Sequence, residues 1–224
     1  MPKAAVQKRE SLSQVAYNQI RAMILQRELA PGEFVSECHL QEVLGLGRTP
    51  VREALLALAQ NGLVTVHPRK GVEVTHPTPK AVHDIFEFRS LVEPLILRRC
   101  FPMIDRKWAQ DLREQLQRRQ DCRNSDAKRE EADLIDLDSR FHLELAGTLR
   151  NQYIDQMLRS MLDYLSLIRF TVWDSEQYLD SNHTHIAILD AILADDVEEA
   201  CRLLTKHLHG SYQEAIDAMM HMAF

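Results

Sequence analysis

Cysteine is scarce in this 224-residue chain, and the four present (Cys38, Cys100, Cys122 and Cys201) are scattered without CxxC spacing. That excludes a disulfide framework and a zinc-ribbon or thiol-redox motif, and reads as reduced, mostly packing cysteines of a cytoplasmic protein. Glycine and proline are also sparse, at 7 and 8, and leave long Leu-, Ala-, Asp- and Arg-rich stretches unbroken. A mostly helical fold follows. No run is long and apolar enough to span a membrane, Met1-Pro2-Lys3 opens no signal peptide, and there is no internal repeat or low-complexity tract. What is present is 45% hydrophobic and 27% charged residues, the balance of a soluble globular protein with a sizeable core. The length suits one large or two modest domains.

The net charge of −6 argues against a nucleic-acid partner until the chain is divided. Residues 1–80 hold 10 Lys and Arg against 7 Asp and Glu, whereas residues 81–224 hold 17 against 26. A basic head on an acidic body is the layout expected when only the head meets phosphate.

Inside that head, residues 36–71 spell out a winged helix-turn-helix. Ser36 caps a short helix with apolar positions Leu40, Val43 and Leu44, and Gly45-Leu46-Gly47 makes a tight turn. A second helix opens with Arg48-Thr49-Pro50-Val51-Arg52-Glu53-Ala54-Leu55 and runs to Asn61-Gly62. Val64-Thr65-Val66 and Val72-Glu73-Val74 flank Pro68-Arg69-Lys70-Gly71 as a hairpin. Two helices joined by a glycine turn, the second basic at its start, set a helix into the major groove. Arg48 and Arg52 share one face of its leading end, where arginine pairs bidentately with guanine. Thr49 is placed for phosphate or base, and Arg69 and Lys70 at the wing tip for backbone or minor groove. Val51, Ala54, Leu55 and Leu58 turn inwards against Leu40 and Val43. The plainer alternative makes Arg48 and Arg52 solvated surface residues beside Glu53.

Around this motif, residues 1–10 lack periodicity and read as a mobile arm. Leu12, Ala16, Ile20, Met23 and Ile24 share a helical face capped by Ser11 or Ser13. Ala30-Pro31-Gly32-Glu33 is a turn, and residues 76–79 are a linker between a domain at 11–75 and a second at 80–222. From Pro79 on, helices are expected near 79–101, 105–124, 128–148, 151–171, 176–194 and 196–222. Asp105, Asn151 and Asp195 or Asp196 are the candidate caps, and Pro94 is expected to kink or locally break the first helix. The fold class is therefore mostly α: a winged helix-turn-helix followed by an antiparallel bundle of six to seven helices.

The head segment from Pro31-Gly32-Glu33 through the Arg48–Leu55 run to Gly62-Leu63-Val64 resembles the GntR family of bacterial transcription regulators. The resemblance covers residues 11–75 and implies DNA binding. One departure is Gly47, where that family usually has Ser or Thr as the helix cap. Glycine is only slightly worse there, so the fold stands but a hydroxyl contact to phosphate is lost.

The helical half holds a second constellation. Asp138 and His142 are four apart and project from one helix face; His185 and His207 lie on two later helices. Three imidazoles and a carboxylate would form an N3O site for zinc, nickel or manganese, with open positions for water or a carboxylate. By spacing alone His183 and His209 compete for the same roles. Residues 79–222 resemble the FCD ligand-binding domain of the FadR subgroup, through Phe88-Arg89-Ser90-Leu91-Val92-Glu93-Pro94, Asp138–His142 with Asn151, and His185–Ile192 with Ala200 and His207. Six helices favour its VanR-like branch. The resemblance implies a metal held by Asp138, His142, His185 and His207, with an organic acid against it. Thr184 stands where many relatives have Glu, which leaves ligation intact and alters what surrounds it. Arg89 is either a bidentate partner for the acid's carboxylate or the ion-pair partner of Glu93. The apolar residues Phe141, Tyr164, Ile168 and Trp173 are candidate pocket walls.

The chain is thus expected to be no enzyme but a homodimeric regulator on a pseudo-palindromic operator in double-stranded DNA. It is read as a repressor released when a small organic acid binds at the metal site. The alternatives are a regulator that senses the metal itself, and a metal-dependent hydrolytic enzyme.

Overall fold

The computed structural model describes residues 10–121, 127–172 and 175–222. The arm at residues 1–9, Cys122 and Trp173 lie outside the described residues. Two compact units form, one up to His76 and one from Pro77 onward.

In the first unit α1 (Leu12–Leu25) is capped by Ser11, whose Oγ accepts from the Gln14 amide at 3.2 Å. Ser13 has another use, donating to Glu53. Ala16, Ile20 and Ile24 are buried, while Leu12, in the first turn, stays exposed. Ser36 caps α2 (Glu37–Leu44), and a left-handed Gly45 turns the chain so that the Leu46 amide reaches the Gln41 carbonyl at 3.2 Å. Helix α3 (Arg48–Gln60) then starts from Gly47, which gives no side-chain cap bond, and buries Val51, Ala54, Leu55 and Leu58. Val43 was expected to pack against that face but is 52% exposed. Leu40 is the buried residue of α2, and Val43 sits about 60° around the helix from it, on the far side from Leu44.

The wing is a three-stranded antiparallel sheet rather than a two-stranded hairpin. β2 (Val64–His67) and β3 (Gly71–Val74) pair in the register Val64 with Val74 and Val66 with Val72. β1 (Phe34–Val35), placed by the Pro31-Gly32 turn, adds to the other side of β3. Gly71 is fixed there twice over: its φ is +104°, and a Cβ would stand 2.7 Å from the Val35 carbonyl oxygen. Gly71→Ala is expected to destabilise the head by about 2–3 kcal/mol, because backbone strain and a backbone clash coincide. Denaturant titration of the full chain checks this; an unchanged midpoint for the head would disprove it.

The second unit contains α4 (Pro79–Cys100), a 3-10 turn (Phe101–Met103), α5 (Arg106–Asp121), α6 (Ala127–Gly147), α7 (Gln152–Val172), α8 (Ser175–Leu193) and α9 (Val197–Met222). Thr78 caps α4 with Pro79 in its first turn, and the helix continues through Pro94. Asp105 Oδ1 accepts from Lys107, Asn151 Oδ1 from Tyr153 and Asp196 Oδ1 from Glu199, each at 2.9–3.0 Å. Asp195 is left-handed at φ 64° and is not the cap; its carboxylate pairs with Arg106. Helices α4 and α9 run antiparallel, since His83 meets Tyr212 near one end and Arg98 meets Glu198 near the other. The core joins Leu97, Leu112, Phe141, Leu189 and Leu204 from five different helices. A smaller cluster of Val82, Phe86, Leu165 and Ile168 lies near the start of α4.

Candidate DNA interface and metal centre

Helix α3 presents its basic residues as its periodicity requires. With Val51, Ala54, Leu55 and Leu58 turned inwards, Arg48, Thr49 and Arg52 fall on the open side and are exposed. Glu53 is engaged by Ser13 of α1, and among the described residues neither Arg48 nor Arg52 is in an ion pair. Two guanidiniums with no ion pair among the described residues thus stand in the first turns of α3. Arg69 and Lys70 are exposed in the β2–β3 turn, where Arg69 takes φ 68° and the Lys70 amide bonds the His67 carbonyl at 3.1 Å. Both belong to the exposed tip of the β2–β3 hairpin.

In the helical unit, Asp138, His142, His185 and His207 converge from α6, α8 and α9. All four are buried, and their candidate donor atoms lie within 4.8 Å of one another. His183 and His209, the competing choices by spacing, are exposed instead. The ring centroids of His185 and His207 are 4.2 Å apart, and Phe141 packs on His185 at 4.5 Å. Asp138 Oδ1 is 3.7 Å from His185 Nε2. Phe141 therefore backs the imidazoles directly, Tyr164 OH accepts from the Thr78 amide at 3.3 Å, and Ile168 belongs to the cluster near the start of α4.

Two flanking contacts each engage one ring nitrogen of these histidines. Glu93 Oε2 lies 2.6 Å from His142 Nδ1, and Thr184 Oγ1 lies 2.8 Å from His207 Nδ1. The opposite nitrogens, His142 Nε2 and His207 Nε2, are buried and have no hydrogen-bond partner among the described residues. A carboxylate only accepts, so Glu93 requires the proton on His142 Nδ1 and leaves Nε2 as a lone pair. His207 is held neutral, its pKa driven well below the usual histidine range by burial and then by the neighbouring His185 and His142. Burial alone would raise Glu93, but Arg89 and His142 outweigh it and bring its pKa down to about 2.

Buried imidazoles with bare ring nitrogens facing one carboxylate fit a divalent cation. Tetrahedral ligands at about 2.1 Å from zinc are about 3.4 Å apart, so closing the observed spread needs only small side-chain shifts.

Of the two readings of Arg89, the structure shows the ion pair with Glu93. Its Nε donates to Glu93 Oε1, yet Nη1 and Nη2 are buried without a partner among the described residues, in a side chain of 0% exposure. One edge makes the ion pair, and the other has no hydrogen-bond partner among the described residues. Sequence reasoning gave Glu93 only the Arg89 contact; its bond to His142 joins residues 49 positions apart and has no local signal. Asn182, also unassigned from sequence, is buried, with Nδ2 lacking a hydrogen-bond partner among the described residues. Its position one turn before His185 was the available clue.

Among the described residues no helix is long and apolar enough to cross a membrane. Residues 12–74 match the family model for bacterial regulatory proteins of the gntR family, and residues 84–210 match that of the FCD domain. The HTH-type transcriptional repressor NanR of Enterobacter sp. (strain 638) is 30% identical over 223 residues, covering 90% of this chain and 84% of that one. A solved GntR transcriptional regulator of Rhodococcus sp. RHA1 superimposes with a TM-score of 0.77 at 24% identity, over 93% of this chain and 99% of that chain. The metal-free FCD domain of TM0439 matches 65% of this chain and 99% of its own, with a TM-score of 0.55 and 19% identity. These relatives are regulators of transcription, not enzymes, which removes the hydrolytic reading.

Proposed function

Since this chain belongs to the GntR family and carries an FCD domain, as a DNA-binding transcriptional regulator, we propose that its helical unit binds a small organic acid beside a divalent metal, and that binding releases the protein from its operator. Regulators of this family bind operator DNA and usually act as dimers. A two-fold dimer would read a pseudo-palindrome, with Arg48, Thr49 and Arg52 in the major groove and Arg69 and Lys70 on the flanking backbone. The repressor direction is supported by the name of the Enterobacter relative.

The observation that carries the acid reading is the free edge of Arg89. A fully buried guanidinium with Nη1 and Nη2 unbonded among the described residues is costly unless an anion completes it, and a carboxylate matches that edge with two parallel hydrogen bonds. Asp138, His142, His185 and His207 would hold the metal, with zinc favoured by the N3O set and nickel or manganese also suited. When bound, the ion would supply a Lewis-acid point for one carboxylate oxygen. Asn182 offers a further buried donor. Closure of these groups on an acid would draw α4, α8 and α9 together, and only differential affinity for two arrangements of the dimer can turn that into a change at the DNA.

The experiment is sequencing of genomic fragments captured by the zinc-loaded full chain, followed by release assays with a panel of small carboxylic acids. A palindrome released by acid at fixed zinc is the expected result. Release by chelator alone, with no response to any acid, would instead make the metal the signal. No enrichment with or without zinc would overturn the operator reading.

A further inference from the structure

We propose that Glu93 is the positioning residue that couples the two halves of this site, tying the acid-binding guanidinium of Arg89 to the metal-binding imidazole of His142. The inference rests on the function proposed above and adds a regulatory linkage: metal and carboxylate strengthen each other's binding through one buried side chain.

The geometry is specific. Glu93 is 4% exposed, and its two oxygens face different partners on different helices: Oε1 takes Arg89 Nε within α4, and Oε2 takes His142 Nδ1 of α6. At the far side of each partner stands an atom with no hydrogen-bond partner among the described residues: Arg89 Nη1 and Nη2 at one end, His142 Nε2 at the other. The chain Nη–guanidinium–carboxylate–imidazole–Nε2 is therefore complete in the middle and open at both ends. A carboxylate received on the Nη edge shares the charge of Arg89, so Arg89 draws less on Glu93. Glu93 then accepts more strongly from His142 Nδ1–H, which makes Nε2 a better donor to a cation. Charge points the same way. Asp138, Glu93 and Arg89 together carry one net negative charge, which repels an anion; a divalent ion reverses it to one net positive charge, which a monocarboxylate neutralises. Linkage is reciprocal by necessity, so the acid must tighten the metal by the factor with which the metal tightens the acid.

The test uses the full chain, with zinc affinity measured by competition against a chelator in acetate and in chloride at equal ionic strength. Acetate is expected to tighten zinc at least about fivefold in the unaltered protein. Glu93→Gln is expected to weaken zinc about 10- to 100-fold and to abolish the acetate effect. Arg89→Met should abolish the acetate effect with a smaller change in zinc affinity, whereas a merely structural Glu93 would leave the acetate effect in place in Glu93→Gln. A nitrogen-15 NMR spectrum of the histidine rings in the unaltered, zinc-free protein needs no variant to fold, and should show His142 protonated at Nδ1. Zinc binding without any acetate effect, or His142 protonated at Nε2, overturns the coupling alone. Failure of the unaltered chain to bind zinc overturns the function on which it rests.

Discussion

Replacing His142 and His185 together with alanine is expected to abolish the stabilisation of the protein by zinc. With zinc at 100 times its dissociation constant, the unaltered chain should gain about 2.7 kcal/mol, or roughly 5–10 °C in the melting of a helical unit of this size. The double variant should gain nothing. Its zinc-free stability should also fall, because two buried rings packed against Phe141 leave a cavity and Glu93 Oε2 loses its partner. The decisive quantity is therefore the zinc-induced increment in each protein, read by calorimetry with and without the ion, and not the absolute melting temperature. Full zinc occupancy in the double variant, with an unchanged increment, would place the metal elsewhere. The expectation depends on both imidazoles because each comes from a different helix. His142 is on α6 and His185 on α8, so their joint loss takes away the ligands that would cross-link those helices through the ion.

What could be read from the sequence followed from local rules. Ser36 was identifiable as a cap, and Ser11 or Ser13 as another, because each precedes a periodic apolar stretch; Ser11 and Ser36 accept the amide bond a cap should, as does Thr78. The helices of the bundle were separable because Asp105, Asn151 and Asp196 punctuate them. Asp195 and Asp196 could not be told apart by residue type; backbone conformation decides, and only Asp195 is left-handed. β1 was invisible because two residues carry no alternation, and it exists only where β3 offers an edge. Val43 misled because an eight-residue helix holds too few apolar positions to fix which side is buried. In the helical unit the resemblance singled out four residues that spacing left level with His183 and His209, and burial separates the two sets: His185 and His207 are inside, the others outside. Glu93 marks the limit of such reading. Its pairing with Arg89 is an i,i+4 relation any helix displays, whereas its pairing with His142 depends on how α4 lies against α6. No residue pattern within either helix encodes that.

Arg48→Ala with Arg52→Ala is expected to lower operator affinity by about 2–6 kcal/mol, since each bidentate guanine contact is worth about 1–3 kcal/mol of discrimination. The head should keep its stability, because both side chains are exposed, neither is in an ion pair among the described residues, and alanine is a good helix former. Loss of binding with an unchanged melting temperature is thus the expected pairing, measured on the captured operator and on random DNA of equal length. The second duplex and the salt dependence separate two roles that the fold alone leaves equivalent. If the arginines read bases, affinity for the operator falls far more than affinity for random DNA. If they hold phosphates, both fall together and the slope of log affinity against log salt flattens by nearly two. Arg69→Ala with Lys70→Ala is the comparison within the same head: a wing tip on the backbone should show the uniform loss even where α3 shows the selective one. Unchanged operator binding in the α3 double variant would mean that another surface of the head enters the groove. In that case the open face left by Val51, Ala54, Leu55 and Leu58 would be only the solvated side of a packed helix.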